Sequence, residues 1–273
     1  MIKKKKNLEY LRIVFILLFF IGCSSKDKED DLIPIINDGI INVGIYADNG
    51  AATGCVIASE KMFQWMGCVT ERFYADDLNN MEADHLDIIY FPGGSTWPYI
   101  IDIHENGKEY LRKLIFSGRG YIGVCAGVIF ACRVQIWDNE EIRSGQLGLF
   151  DGNGIGPNRE IYSYPEIGMT DIILKENHFI TENLPDTMRI MFYNGPYFEL
   201  VSEEGAEIIS YYSVTGKPAV IACNYGKGKV VLFGPHPEFE EDSNRDGLPY
   251  FKEYDDRESD WDLMKNALNW CIQ

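Results

Sequence analysis

Histidine is scarce in this chain, positive charge is scarcer than negative, and paired cysteine motifs are missing. Only four histidines occur in 273 residues. His85, His104 and His178 stand at no spacing that suits a metal-ligand set and are read as structural or exposed. No Cys-x-x-Cys occurs among the seven cysteines, and their spacing is not that of a small disulfide scaffold. Lysine and arginine number 25 against 42 acidic residues, a net charge of −17. That balance argues against nucleic acid or an anionic lipid surface as a partner, and is compatible with cation binding. There is no internal repeat and no sign of a second-domain boundary. What the chain does have is core material, 46% hydrophobic and 13% aromatic residues, so it is not of disordered composition.

The first residues read as an address. Lys3, Lys4, Lys5 and Lys6 form a basic patch, and Ile13 to Ile21 form an apolar run too short to span a bilayer comfortably. The run ends in Gly22-Cys23-Ser24. A small residue before a cysteine at that place resembles a bacterial lipoprotein signal, in which Cys23 is lipidated and becomes the new N-terminus. The alternative is an ordinary cleaved signal or a plain membrane anchor. On the lipoprotein reading, residues 1–22 are a signal peptide, 23–38 a polar tether, and 39–273 a single domain. The protein is then expected in the bacterial cell envelope, on the outer membrane or periplasmic side, touching the membrane only through its lipid anchor. Outside the cytoplasm disulfides become possible, Cys55 with Cys68 for instance.

Beyond the tether, elements alternate. Ile40 to Tyr46, Val69 to Tyr74, Leu86 to Phe91 and Tyr121 to Val124 read as strands, while Cys55 to Met66 and Asn106 to Ser117 have helical spacing. Strand and helix in short alternating units predict an α/β fold, an open, mostly parallel sheet with helices on both faces. After a polar, glycine-rich stretch from Asn139 to Pro165 the character changes. Met169–Leu174, Met188–Tyr193, Ala206–Tyr212, Pro218–Asn224 and Lys229–Phe233 are strand candidates with short links, including a hairpin at Tyr225-Gly-Lys-Gly228. These predict antiparallel strands added to the sheet. Asp260 to Trp270 closes the chain as a helix.

Functional sites in such sheets lie at the carboxyl ends of strands. One such end carries Gly123-Val-Cys125-Ala-Gly127, a cysteine in a tight strand-to-helix turn, where a thiol meets the positive end of a helix. A lone cysteine there would be a small buried hydrophobe; its company decides otherwise. Another strand ends in Pro92-Gly93-Gly94-Ser95, and a third in His236-Pro237-Glu238. A histidine and an acid two residues apart on extended chain point to one side, so the acid can orient the imidazole. Cys125, His236 and Glu238 thus make a nucleophile, a base and an orienting acid.

Phe91-Pro-Gly-Gly-Ser95, Gly123-Val-Cys-Ala-Gly127 and His236-Pro-Glu238 together resemble the class I glutamine amidotransferase superfamily. Tyr46, the Gly50 to Gly54 loop, Trp97-Pro-Tyr99 and Tyr193-Asn-Gly195 are similar to its biotin–protein ligase N-terminal-like branch. The resemblance runs from about Ile40 to Glu238 and implies a flavodoxin-like fold and a cysteine-dependent amide hydrolase. The Cys125 thiolate would attack an amide carbonyl, with the oxyanion held by N–H groups of Ala126 and of Gly93 or Gly94. Ser95, Trp97, Tyr99, Tyr193 and Asn194 would line the substrate pocket, although Trp97 and Tyr99 are equally readable as core of the next helix. No cofactor is required. The expected partner is a small amide or peptide, with no synthetase partner evident; the competing expectation is a binding module that keeps the triad geometry without turnover.

One more pattern stands apart. Asp242, Asn244, Asp246 and Glu253 occupy positions one, three, five and twelve of a calcium loop, with Gly247 at six. The alternative is an acidic, glycine-turned surface loop.

Overall fold

The computed structural model describes residues 39–202, 205–240, 245–249 and 258–273. The basic patch, the apolar run, Cys23 and the tether lie outside the described residues, as do Asp242, Asn244 and Glu253. No helix among the described residues is long and apolar enough to cross a membrane.

Thirteen strands and six helices follow one another in the described residues. The N-terminal half runs β1 (Asn42–Tyr46), α1 (Thr53–Trp65), β2 (Val69–Phe73), α2 (Ala75–Asn79), β3 (Ile88–Phe91), α3 (Thr96–Asp102), α4 (Glu105–Phe116), β4 (Gly120–Val124) and α5 (Ala126–Ala131). Three short strands come next, β5 (Val134–Trp137), β6 (Glu140–Ile142) and β7 (Gly152–Gly156). Then come β8 (Gly168–Leu174), β9 (Thr187–Phe192), β10 (Tyr197–Leu200), β11 (Glu207–Tyr212), β12 (Pro218–Tyr225), β13 (Gly228–Phe233) and α6 (Asp260–Cys271).

Nine strands form one sheet in the order β2-β1-β3-β4-β13-β12-β11-β8-β9. The first five are parallel, and from β13 onward each neighbour runs antiparallel. This is the mixed α/β architecture expected from the alternating elements. The parallel strands read as continuous apolar runs because both faces are covered. Ile88 and Tyr90 face one core with α1 and α6, whereas Ile89 and Phe91 face another with α3, α4 and α5. β13 splits in the same way, Val231 and Phe233 to the first core, Val230 and Leu232 to the second. Each such side chain, fully removed from water, stabilises the fold by about 1.5–3 kcal/mol.

Strands β10-β7-β5-β6 form a second, four-stranded sheet, with β6 and β7 from the glycine-rich stretch, β5 just before it and β10 beyond it. Nothing in the sequence pattern separated it from the main sheet, because three of these strands are too short to show a period. The six described cysteines are buried free thiols, so Cys55 and Cys68 are not bridged.

Candidate active site

Three loops at the carboxyl ends of neighbouring strands build the site. β4 hands over directly to α5 at Cys125, whose backbone takes φ 49° and ψ −101°. A positive φ on a non-glycine residue is strained and persists only when its surroundings hold it. Here Cys125 N–H donates to Phe233 O at 2.9 Å, and Cys125 O accepts from Val128 N–H at 3.1 Å. The strain thus sits on the cysteine itself. Gly127 is needed for a different reason: a methyl there would stand 2.2 Å from Phe91 O, so its absence lets α5 pack onto β3. α5 is only six residues long and stops at Cys132.

The loop after β3 supplies the second wall. Gly94 has φ +146°, and any Cβ would meet Gly50 O at 1.9 Å. Ser95 N–H donates to Gly50 O at 2.8 Å and Ala52 N–H to Gly93 O at 3.0 Å, which pin this loop to the turn before α1. Thr96 Oγ1 donates to Ala126 O at 3.2 Å, tying it to the elbow as well. Ala126 is the first residue of α5, where a backbone N–H has no partner within its own helix.

The third wall follows β13. His236 N–H donates to Met191 O at 2.9 Å, and Trp261 Nε1 donates to Glu238 O at 3.0 Å. His236 Nδ1 donates to Glu238 Oε1 at 2.9 Å, with exposures of 2% and 0% for the two residues. His236 Nε2 and Glu238 Oε2 have no hydrogen-bond partner among the described residues. Burial alone would lower the His236 pKa, but the charges of Glu238 and Cys125 outweigh it and hold it well above the usual imidazole value.

These walls enclose a cavity of about 460 Å³. Cys125 (8% exposed), Ala126, Gly94 and His236 line it, together with Ser95, Trp97, Tyr193 and Asn194. Trp97 forms an exposed rim, and Asn194 Oδ1 is buried there with no partner. Tyr99 is a correction to the pocket expectation. It is fully buried in the core, its hydroxyl donating to Pro92 O at 3.1 Å and its ring against Tyr46, Phe91 and Phe130. α3 points its second and fourth residues in different directions, so Trp97 reaches solvent where Tyr99 reaches the core.

Sequence reasoning missed Cys55, Gln135, Trp137 and Tyr164, which also line the cavity. Trp137 and Tyr164 come from stretches with no periodicity to place them. Cys55 was legible only as a helix residue. Of the four side-chain ligands in the calcium pattern, Asp246 alone is among the described residues; its Oδ1 accepts from Leu248 N–H at 2.8 Å and its Oδ2 from Glu240 N–H at 3.2 Å. Burial raises its pKa above the usual carboxylate range.

The fold is that of class I glutamine amidotransferases. A glutamine amidotransferase from Thermotoga maritima superposes with a TM-score of 0.52 at 15% identity, covering 85% of this chain and 98% of that one. The family defined by the N-terminal part of biotin–protein ligase matches residues 41–265, and the chain belongs to it. Biotin–protein ligase of Schizosaccharomyces pombe is 25% identical over 236 residues, 80% of this chain but 36% of the ligase. An uncharacterized protein of Chlamydia muridarum is 29% identical over 162 residues, 56% of this chain and 60% of that protein. The chain therefore spans less than two thirds of the length of either relative.

Proposed function

We propose that this chain is a cysteine-dependent amide hydrolase working through a thioester, with a small amide or peptide as substrate. One observation carries the proposal: a strained Cys125 shares a cavity with a histidine whose one nitrogen is held by a buried carboxylate while the other is left unpartnered. In the first step Cys125 Sγ attacks the carbonyl carbon, and N–H groups of Ala126 and the Gly93-Gly94 loop receive the oxyanion. His236 Nε2 then gives its proton to the leaving amine, the C–N bond breaks, and the acyl group stays on sulfur. Water attacks the thioester, His236 takes a proton from it, and the carboxylic acid leaves with the thiol restored. Glu238 fixes the ring throughout and stabilises its positive charge. The raised His236 pKa suits this role, because it favours a thiolate–imidazolium pair before attack.

Incubating the protein with a library of amides and peptides, followed by rapid acid quench and intact mass measurement, tests the reading. An acyl adduct on Cys125 and release of amine support it. A full set of substrates with no adduct and no amine, on protein whose Cys125 is no more reactive to a mild electrophile than Cys132, points instead to a binding module. The same proposal assigns the cell envelope as the address through Cys23. Metabolic labelling with palmitate that is lost in Cys23→Ser supports that part, and labelling unchanged in the variant removes it.

A further inference from the structure

The cavity holds a second cysteine, Cys55, that the hydrolytic chemistry does not use, and it stands against the same histidine and carboxylate. Cys55 lies in the first turn of α1, and its Sγ is 3.9 Å from His236 Nδ1. The Cys55 sulfur, a His236 ring nitrogen and a Glu238 carboxylate oxygen all fall within 4.8 Å of one another, and all three residues are buried. No other group of three histidine, cysteine or acidic residues has that spacing among the described residues.

One further observation points to a ligand, and a second explains how the donors come together. Glu238 Oε2, on a residue that is 0% exposed, has no hydrogen-bond partner among the described residues. Gly93 lets the donors meet: a methyl there would stand 2.5 Å from His236 Cε1 and 3.2 Å from Cys55 Sγ, so a larger residue would push the two side chains apart. A thiolate, an imidazole and a carboxylate are the donor set of zinc and its tetrahedral relatives, not of calcium or magnesium. Bond lengths of about 2.3 Å to sulfur and about 2.0–2.1 Å to nitrogen put those two atoms roughly 3.5 Å apart around a tetrahedral ion. The observed 3.9 Å needs only a small closure. The cavity mouth gives entry and leaves a fourth position for water.

We propose that Cys55, His236 and Glu238 form a three-ligand site for a thiophilic divalent cation of the zinc class, sharing its histidine with the Cys125 site. Binding releases the Cys55 thiol proton to solvent and takes the Nδ1 lone pair, so a neutral ring moves its proton to Nε2, while an imidazolium loses the Nδ1 proton to solvent. The carboxylate that accepted from Nδ1 then turns to the ion. The ring is left with its single proton on Nε2, so it cannot take a proton from water, and the ion acts as a reversible inhibitor of hydrolysis. The site stands on its own geometry whether or not Cys125 turns over.

Cobalt(II) is the probe, titrated anaerobically into the reduced full chain and followed by absorbance. The expected result is one cobalt with a sulfur-to-cobalt charge-transfer band, displaced by one equivalent of zinc. The band persists in Cys125→Ala and is lost in Cys55→Ser, while Glu238→Gln weakens cobalt binding at least about tenfold. No band in the reduced protein, a band lost in Cys125→Ala, or a band kept in Cys55→Ser overturns the site. Because Cys125→Ala removes the hydrolytic nucleophile, cobalt binding in that variant separates the fate of this proposal from that of the hydrolase.

Discussion

Two cysteines lie on the same cavity beside one imidazole, and they are not equivalent. Both belong to helix starts, Cys125 as the residue before α5 and Cys55 in the first turn of α1. Both are nearly buried, 8% and 5% exposed. The difference lies in the backbone and in the surroundings of each thiol. Cys125 is held at a positive φ at the start of α5. Cys55 has ordinary helical surroundings, its carbonyl accepting from Ser59 Oγ at 2.7 Å, and it approaches Nδ1, the nitrogen already bonded to Glu238. Burial, with the Glu238 charge close by, pushes the Cys55 thiol up to about 12. A helix start by itself therefore does not make a thiol reactive; desolvation of the thiolate outweighs a helix end that is worth about 0.3–1 kcal/mol.

The largest effect expected from this contrast is at the nucleophile. Cys125→Ala is expected to abolish amine release and adduct formation, a loss of at least about 10³-fold, read by intact mass and amine assay. In the unaltered protein at neutral pH, iodoacetamide is expected to modify Cys125 at least about a hundred times faster than Cys55, by peptide mapping, because almost none of a thiol with its pKa near 12 is thiolate there. Cys55 labelling rises only as the pH approaches that value. Comparable rates for the two at pH 7 break the comparison. Glu238→Gln keeps the shape but removes the charge that holds the ring; turnover is expected to fall on the order of 10²–10⁴-fold, with circular dichroism unchanged.

Smaller effects sharpen the supporting structure. Trp261 is buried against the first core and its Nε1 holds Glu238 O at 3.0 Å. Trp261→Ala is expected to lower unfolding stability by about 3–5 kcal/mol in urea, through the cavity it leaves. Tyr99→Phe removes one buried hydroxyl that donates to Pro92 O. Its expected cost is about 1 kcal/mol, with the Cys125 labelling rate unchanged. A labelling rate that moved with Tyr99→Phe would put this residue back on the pocket wall.

The parallel strands were legible because each is a short apolar run bounded by turn residues, as in Leu86 to Phe91 followed by Pro92-Gly93-Gly94. The hairpin at Gly226-Lys227 and the helix from Asp260 were legible for similar local reasons, and β12 and β13 pair across that turn from Tyr225 to Gly228. α3 and β10 were not, since both are short and their apolar residues follow neither period cleanly. In the site, motifs at strand ends placed Cys125, the Gly93-Gly94 loop and His236 without any structure. Tyr99 shows the limit: spacing from a motif says which loop a residue follows, not which way its side chain turns.

Turn chemistry and periodicity act over a few residues, and they suffice for the α/β alternation and for the three loops that meet at the site. Tertiary structure alone decided that Cys55 would stand beside His236, 181 positions away. It also decided that Tyr99 would turn into the core and that Trp137 and Tyr164 would close the cavity. Helical spacing assigns Cys55 to a helix, but only the packing of α1 on β1 and β2, beside the loops that follow β3 and β13, sets the rotation that aims its sulfur at the imidazole. Reactivity follows from that same packing, since the burial that brings the thiol to the ring also holds it protonated.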